Sequence, residues 1–496
     1  MATEKSAEVV VGMVPKDRIN QAKEPASSVL WREELQKMIT DQQKRQVISH
    51  EVRGEAGSQS AQIEEQQSTQ AQEQMRALRQ NLMERICESK NLNQAIKKVR
   101  ANKGSPGVDG MHVNELESWM KINQSKLSES LLEGNYRPQP VRAVEIPKPG
   151  GGVRELGIPT VIDRVVQQAI LQVLDPILDP TFSESSYGFR PRRSAHQALK
   201  AACGYVKEGH VYVVDLDLEK FFDRVNHDIL MSRLARRIED KRLLRLIRWY
   251  LQAGIFKNGI ELAREEGTPQ GGPLSPLLAN LLLDELDKEL EKRGHRFCRY
   301  ADDCNIYVRS EQAGERVMQS VTEFLEKRLR LKVNKQKSAV AHVEERQFLG
   351  HRLLRGGRLG IASKAIEKVK GRLREITGRH RGVKFESMLD ELNAFTIGWV
   401  TYYRHALVRM LLRELDSWIR RRLRCYRMVQ CKRKLRKVRL LTSLGTNKSD
   451  AWFAVKYGSG PWRLSAKPAV KLAMRDEWFR SLGVISLLLR YDALRA

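Results

Sequence analysis

The sequence predicts an α+β fold followed by a helical, strongly basic module, and three observations support this. Segments with the two-residue period of strands alternate with segments of helical period between about residues 141 and 308. Strand signals largely vanish beyond Ser363. The length of 496 residues exceeds one ordinary compact domain and corresponds to about three. We therefore expect a multidomain chain in which a mixed sheet precedes a bundle of helices.

The first part of the chain is divided by composition and by glycine-rich turns. Residues 1–74 carry nine basic and twelve acidic residues and a glutamine-rich run, which predicts disorder or a solvated helix. From residue 75 the apolar residues recur with helical spacing and predict a pair of amphipathic helices. The glycines of residues 147–152 separate two extended segments, 141–146 and 153–158, and predict a basic β-hairpin.

The central part combines helices with one short strand. Helical patterns cover residues 163–175 and 196–206, and the apolar run at 211–218 predicts a strand. Ser275 and Pro276 predict the N-cap and the first residue of a buried helix that follows a glycine-rich loop.

The charge of the chain points to nucleic acid as a partner. With 88 basic and 60 acidic residues the net charge is +28, which is typical of proteins that neutralise many phosphates. No apolar run approaches the roughly 18 residues of a membrane span, so no membrane partner is expected. The six cysteines form no close C-x-x-C pair, and no signal sequence is evident at the N-terminus. A reducing interior compartment is therefore expected.

More than half of this net charge lies in the helical module. Residues 362–450 hold 23 basic and 8 acidic residues, a net charge of +15. A solvated helix face would explain single basic residues, but runs this dense repel one another unless an anion lies nearby. The residues predicted to contact nucleic acid are Arg420, Arg421, Arg422, Arg424, Lys432, Arg433 and Lys434.

Three carboxylates stand out in this basic chain, Asp217, Asp302 and Asp303, with Asp215 as a neighbouring alternative to Asp217. Strand periodicity at 211–218 places Asp215 and Asp217 on one face, either as ligands or as the wet end of the strand. Asp302 and Asp303 lie between two apolar segments, which is typical of a hairpin whose turn contains the aspartates. The repulsion between these carboxylates would be relieved by a divalent cation, and a set of oxygen ligands suits Mg²⁺.

Together these segments resemble the reverse transcriptases encoded by bacterial and organellar group II introns. The motifs that carry the resemblance are G-S-P-G-V-D-G at 104–110, I-P-K-P-G-G-G-V-R-E-L-G-I-P at 146–159, S-Y-G-F-R-P at 186–191, D-L-E-K-F-F at 217–222, T-P-Q-G-G-P-L-S-P at 268–276, Y-A-D-D at 300–303 and F-L-G-H at 348–351. The segment 385–405 is similar to the maturase-specific domain of the same family. The resemblance covers residue 75 to the end.

The resemblance implies a right-hand polymerase, with fingers and palm over residues 75–362 and a helical thumb and maturase domain over 363–450. Residues 451–496 are similar to the short DNA-binding tail of members that lack an H-N-H nuclease domain, and the absence of histidine there agrees with this. The implied cofactors are two Mg²⁺ ions, and the implied substrates are deoxynucleoside triphosphates. The implied metal ligands are Asp217, Asp302 and Asp303, with Asp215 in a supporting position.

The family also implies roles for residues around the incoming nucleotide. Phe222 would pack under the sugar and exclude a 2′-hydroxyl, and Gln270 would contact the nucleotide. Lys148 and Arg154 would hold the triphosphate, although Lys148 could equally be a solvated hairpin charge. Lys337 is a further candidate for phosphate contact.

Three functions are compatible with this resemblance. The first is an enzyme that binds its intron RNA, assists splicing and copies the intron into target DNA during retrohoming. The second is a maturase that only supports splicing, against which the intact aspartates argue. The third is a related reverse transcriptase recruited to host defence or repair, against which the maturase-like segment argues. The expected location is the bacterial cytoplasm, with association to the nucleoid, or an organelle; the oligomeric state stays open.

Overall fold

The computed structural model describes residues 79–147, 153–458 and 460–496. Of these, the residues up to Tyr205 and from His210 to Ala341 form one compact unit, and the remainder form a second. The predicted N-terminal extension at 1–74 and the predicted nucleotide contact Lys148 lie outside the described residues. Both predicted boundaries, at 363 and at 451, fall inside the second unit.

The first unit alternates helices and strands, as the α+β prediction requires. Its helices are α1 (Leu82–Cys87), α2 (Ser89–Ala101), α3 (Leu116–Leu132), α4 (Val161–Leu178), α5 (Ala195–Lys207), α6 (His227–Ala235), α7 (Lys241–Gln252), α8 (Ser275–Lys292) and α9 (Glu311–Phe324). Its strands are β1 (Val141–Pro147), β2 (Val153–Ile158), β3 (Tyr212–Leu216), β4 (Ile255–Lys257), β5 (Ile260–Leu262), β6 (Arg296–Tyr300), β7 (Asp303–Val308) and β8 (Ala339–His342).

Two helices form the centre of this unit and are buried on nearly every side. Most residues of α4 and α8 are buried, and α8 packs against both α6 and β6. The start of α4 is fixed by Asp163, whose carboxylate accepts hydrogen bonds from the hydroxyls of Thr160, Tyr136 and Tyr250. Burial raises the pKa of Asp163, while these donors stabilise its ionised form and oppose that shift.

The polar residues of interest belong to a sheet with strand order β6-β7-β3-β8. β7 is antiparallel to both of its neighbours, β6 and β3. Both faces of β3 and β7 are buried, and Val214 and Ile306 face each other in the ladder with no exposed surface. The predicted strand at 211–218 is thus confirmed, and the strand itself spans Tyr212–Leu216.

A second sheet, of order β2-β1-β4-β5, contains the predicted basic hairpin. β1 and β2 pair antiparallel from Arg142 with Ile158 to Pro147 with Val153, so the hairpin lies where the sequence predicts it. The glycine-rich loop at 268–274 approaches this hairpin, and the amide of Gly157 donates to the carbonyl of Gln270 at 3.0 Å.

The second unit is a helical array that begins with one short hairpin. The hairpin consists of β9 (His351–Leu354) and β10 (Arg358–Ile361). Its helices are α10 (Ser363–Ile376), α11 (Phe385–Tyr403), α12 (Arg409–Gln430), α13 (Lys434–Ser443), α14 (Lys448–Lys456), α15 (Pro461–Leu464), α16 (Pro468–Ala473), α17 (Asp476–Ser481) and α18 (Leu487–Ala493). The last helix packs against α11 and α12, and Asp416 on α12 accepts hydrogen bonds from the amides of Leu487 and Leu488 at its start. Among the described residues, no helix has the length and apolar character needed to cross a membrane.

The prediction for the start of α8 is wrong by one position. Ser275 is the first helical residue and Leu274 occupies the N-cap, without a capping side chain. The Ser275 hydroxyl instead donates to the carbonyl of Pro269 at 2.7 Å and accepts from the Thr268 hydroxyl at 3.0 Å. The serine therefore closes the glycine-rich loop onto itself, a contact that capping preferences do not anticipate.

Candidate active site

The strand register brings two of the three predicted aspartates side by side. The last pair of the β3–β7 ladder is Leu216 with Cys304, so the next facing positions are Asp217 and Asp303. Facing residues of an antiparallel pair have Cα atoms about 5 Å apart. Asp303 also pairs with Tyr300 of β6, which leaves Ala301 and Asp302 as the two-residue turn. All three carboxylates therefore lie at one end of this sheet, and each is partly exposed.

The backbone of Asp217 is held by the segment that precedes β8. Its amide donates to the Ser338 hydroxyl at 3.0 Å, and its carbonyl accepts from the amide of Asn334 at 2.8 Å. Lys337 lies between these two residues and is half-buried, so the structure brings this predicted phosphate contact next to the aspartate. Asp215, two residues earlier, is buried opposite Asn305 and does not share the exposed end of the strand.

The turn that presents Asp302 is in an unusual backbone conformation. Ala301 has φ 58°, in the left-handed region that residues with a Cβ rarely adopt. Gly188 lies directly against this turn, since a Cβ at position 188 would stand 2.2 Å from the amide nitrogen of Ala301. Strained conformations of this kind persist only where the surrounding structure enforces them.

A completely buried arginine lies directly beneath the turn. Arg299 has no exposed surface and forms a two-bond ion pair with Asp287 of α8, with Nε 2.7 Å from Oδ1. It also donates to Oδ1 of Asn280 at 2.9 Å, to the carbonyl of Ala301 at 2.9 Å and to the Ser186 hydroxyl at 2.7 Å. Burial alone would lower the pKa of this guanidinium, but Asp287 more than offsets the effect and raises it.

Two predicted nucleotide-binding residues contact each other across the hairpin and the glycine-rich loop. Arg154 of β2 donates from Nε to Oε1 of Gln270 at 2.7 Å. The close approach of the two backbones requires glycine at 271, where φ is 133° and a Cβ would stand 2.8 Å from the carbonyl oxygen of Gly157. Both side chains are partly exposed, so they can reach a ligand together.

Phe222 is fixed by the same loop from the other side. It lies in a short 3₁₀ turn, Phe221–Asp223, and its carbonyl accepts from the amide of Thr268 at 2.7 Å. Its ring contacts that of Phe221 edge to face and is half-buried against the core. The loop is anchored in turn by buried His227, whose Nε2 lies 2.7 Å from the carbonyl oxygen of Gly267. One loop therefore positions both Gln270 and Phe222.

The donor set at the end of the β3–β7 ladder suits a hard divalent cation. Within the described ranges, no group of three or more His, Cys, Asp and Glu side chains is arranged to hold a metal ion by itself. Mg²⁺ typically takes one or two protein carboxylates and completes its coordination with water and substrate phosphates. Two facing aspartates with a third in the adjoining turn match that requirement.

The four residues of α12 that were predicted to contact nucleic acid all make contacts within the protein. Arg424 is buried, and its guanidinium donates to the carbonyls of Ser465 and Met474 at 3.2 and 3.3 Å. Burial lowers the pKa of Arg424, and neighbouring Arg420 lowers it further. Arg420 pairs with Asp476 at 3.0 Å. The prediction of nucleic-acid contact is therefore contradicted for Arg424, because its guanidinium is enclosed by the C-terminal segment.

The other two arginines of this group are also engaged within the second unit. Arg421 lies over the ring of Trp462 at 4.0 Å, and Arg422 donates to the Thr377 hydroxyl and to the carbonyl of Arg374. Both side chains are partly exposed. The density of arginines in the sequence could not separate contact with nucleic acid from contact within the protein. The internal partners belong to distant segments and leave no signal near the arginines.

The basic residues just after α12 are different. An exposed group precedes and covers the start of α13, and we call it the α13 basic surface. Its members are Lys432, Arg433, Lys434, Arg436 and Arg439. The first three were predicted as nucleic-acid contacts, and their exposure is compatible with that prediction.

Sequence reasoning missed the residues that support the Y-A-D-D turn. Ser185 and Tyr187 exchange backbone hydrogen bonds with Arg299 along the edge of β6, and Asn280 donates to the carbonyl of Gly188 at 2.8 Å. The S-Y-G-F-R-P motif is thus a structural support for the turn. An arginine close before the aspartate turn was the available signal, but its side-chain acceptors come from helix α8 and from residue 186.

Comparison with known proteins gives two family matches along the chain. Residues 146–353 match the family described as reverse transcriptase (RNA-dependent DNA polymerase), and residues 366–443 match the maturase-specific domain of group II introns. Protein YkfC of Escherichia coli K12 is 35% identical over 319 residues, which cover 56% of this chain and 83% of that protein.

Two further relatives are longer than the matched region. The group II intron-encoded protein LtrA of Lactococcus lactis is 38% identical over 198 residues, or 39% of this chain and 32% of LtrA. The putative COX1/OXI3 intron 2 protein of Saccharomyces cerevisiae is 29% identical over 316 residues, or 51% of this chain and 36% of that protein. The chain thus matches about a third of the length of each of these two.

Proposed function

Because this chain belongs to the family of group II intron-encoded reverse transcriptases and maturases, we propose that it copies RNA into DNA with Asp217, Asp302 and Asp303 as metal ligands. The observation that carries the proposal is the register of β3 and β7, which leaves Asp217 facing Asp303 beside the turn that holds Asp302. Polymerases of this class use divalent metals and deoxynucleoside triphosphates.

The carboxylates would hold two Mg²⁺ ions between them. When bound, these ions lower the pKa of the primer 3′-hydroxyl and neutralise the charge that develops on the triphosphate. The three aspartates contribute fixed negative charge at the end of a rigid sheet. The segment around Ser338 keeps the backbone of Asp217 in place by two hydrogen bonds.

The hairpin and the glycine-rich loop would bind the incoming nucleotide. Arg154 brings a fixed positive charge for a phosphate, and Gln270, its hydrogen-bond partner, can both donate and accept. Phe222 would exclude the 2′-hydroxyl by steric contact. Lys148 and Lys337 are further proposed phosphate contacts, on the basis of their positions in the family motifs.

The second unit would bind intron RNA and assist its splicing. The α13 basic surface supports this role because its five side chains are exposed and uncompensated by nearby acids in the sequence. Four exposed aromatic residues between positions 452 and 462 add rings on which unpaired bases can stack, and we propose this segment as a contact for target DNA. The aromatic residues are Trp452, Phe453, Tyr457 and Trp462.

The proposed cellular role is retrohoming of the intron that the RNA belongs to. The enzyme would act in the compartment where that RNA is transcribed, which is the bacterial cytoplasm or an organelle. Copying would begin from a 3′ end of the target DNA.

Primer extension on an RNA template tests the polymerase proposal. Asp302→Ala should abolish Mg²⁺-dependent extension, whereas Asp228→Ala, which removes an exposed carboxylate paired with Arg248, should not. Near-wild-type extension by folded Asp302→Ala would refute its assignment as a metal ligand.

Splicing of the intron RNA is measured in the same preparations. The Asp302→Ala protein should support splicing of the intron RNA as well as the wild type does, because RNA binding is assigned to the second unit. A wild-type protein that splices but extends no primer at any metal concentration would instead support the splicing-only function.

A further inference from the structure

The five N–H donors of Arg299 are all used, and their acceptors identify what the residue does. Asp287 takes two of them and cancels the charge, so the remaining three are directed at groups around the catalytic turn. These acceptors are the side chains of Asn280 and Ser186 and the carbonyl of Ala301. No other side chain has five donors in a fixed plane, so no substitution can reproduce this set.

The turn needs such support because its conformation is unfavourable. Ala301 holds a left-handed φ of 58°, and a relaxed chain would leave it. Its carbonyl is bound by Arg299 from below, and its amide is packed by the backbone of Gly188. Asn280 connects the two contacts, since it accepts from Arg299 and donates to the carbonyl of Gly188 at 2.8 Å.

We propose that Arg299, with Asp287 and Asn280, is a positioning device that holds the Ala301–Asp302 turn so that Asp302 and Asp303 can bind metal together. The inference rests on the proposed polymerase function and assigns it three buried residues that touch no substrate. Two carboxylates that repel each other would separate if the turn relaxed. The three residues would thus keep the two aspartates in the geometry for metal binding when no metal is bound.

A matched ion pair on the same helix provides the control. Asp284 is also completely buried on α8, and its carboxylate accepts from Arg237 at 2.6 Å. Arg237 donates also to Thr181 and makes no contact with the turn. Arg237→Lys and Arg299→Lys therefore both change an arginine that pairs with a buried aspartate of α8, although the Arg237 side chain is 18% exposed, and only Arg299→Lys releases the turn.

The experiment measures the Mg²⁺ concentration that gives half-maximal primer extension, together with thermal unfolding of each full-length variant. Residues that orient metal ligands typically change metal affinity about 10- to 100-fold when replaced. Arg299→Lys should raise the half-saturating Mg²⁺ by about tenfold or more, and Arg237→Lys should leave it within about twofold of wild type. Mn²⁺ binds oxygen and nitrogen sites more tightly than Mg²⁺. With Mn²⁺, the half-saturating metal concentration of Arg299→Lys should therefore lie closer to that of the wild type.

Equal Mg²⁺ profiles for folded Arg299→Lys and Arg237→Lys would overturn the inference and leave Arg299 as a residue of the core. If Arg299→Lys does not fold, Ser186→Ala removes a single acceptor and should give a smaller rise in half-saturating Mg²⁺; an unchanged value would equally overturn it. Failure of the wild-type protein to extend a primer would refute the proposed function itself, and the positioning role with it.

Discussion

The second unit has two basic clusters, the α13 basic surface and the arginines of α12. Replacement by glutamine should affect RNA affinity in the first cluster and stability in the second. In one variant all five residues of the α13 basic surface are replaced by glutamine. In the other, the arginines at 420, 421, 422 and 424 are replaced by glutamine. We expect the first variant to lose salt-dependent RNA affinity and the second to lose stability. Each variant is the control for the other, because both remove several positive charges from the same unit.

The magnitude of the affinity change follows from helix geometry. Arg436 and Arg439 are three residues apart on α13 and share a face, while Lys432 and Arg433 precede the helix. About two or three of the five side chains can therefore contact one phosphate backbone. Each lost contact reduces the slope of log K against log salt by about 0.7 to 0.9. The slope should flatten by about 2.

The stability change is calculated from the contacts of the buried arginine. Arg424 gives two hydrogen bonds to carbonyls, and a hydrogen bond to a charged group contributes about 1.5 to 3 kcal/mol. Losing both should reduce the free energy of unfolding by about 3 kcal/mol or more. For a unit of this size about 2 to 4 °C is lost per kcal/mol, so Tm should fall by about 6 °C or more.

Filter binding of intron RNA over a salt series, with thermal unfolding of the same samples, separates the two outcomes. The reasoning would be refuted if the variant at 420–424 flattened the slope by 2 without a change in Tm. If the slope of log K against log salt for the α13 variant equals that of the wild type, the α13 basic surface does not contact phosphate.

Two further predictions concern the loop that holds Gln270 and Phe222. Phe222→Ala should increase ribonucleotide incorporation in primer extension, because the ring would no longer occupy the space of a 2′-hydroxyl; an unchanged preference for dNTPs over rNTPs would assign the ring to the core. Burial lowers the pKa of His227 below its ordinary 6.5, so the folded protein resists protonation, and stability present above pH 6.5 is lost as the pH falls below it. His227→Gln should therefore flatten the loss of Tm between about pH 7 and pH 5, as followed by thermal unfolding, and an unaltered pH dependence would contradict that explanation.

Local pattern was sufficient for the elements and for the Y-A-D-D turn. The β1–β2 hairpin, the strand before Asp217 and the helical character beyond Ser363 all follow from periodicity and glycine placement. These features depend on residues close in sequence, which is why a single chain reveals them.

Contacts between distant segments could not be predicted in this way. The side-chain acceptors of Arg299 lie 12, 19 and 113 residues away, and the carbonyl acceptors of Arg424 lie 41 and 50 residues away. An arginine therefore looks the same in sequence whether it meets phosphate, a buried carboxylate or a carbonyl. Ser275 was misplaced for a different reason, since its hydroxyl is taken by the preceding loop and not by the helix amides.

The geometry of the proposed metal site depends on apolar residues that never touch a ligand. Val214 and Ile306 face each other at the centre of the β3–β7 ladder and are completely buried. A slip of one residue would turn every side chain of a strand to the opposite face of the sheet. Because both faces of β3 and β7 are buried, the turned side chains would no longer fit their neighbours. The same slip would set Asp217 opposite Cys304 or Asp302 in place of Asp303. Because misfitted side chains in a well-packed core cost about 1 to 3 kcal/mol, the core fixes the register, and the register places the two carboxylates together.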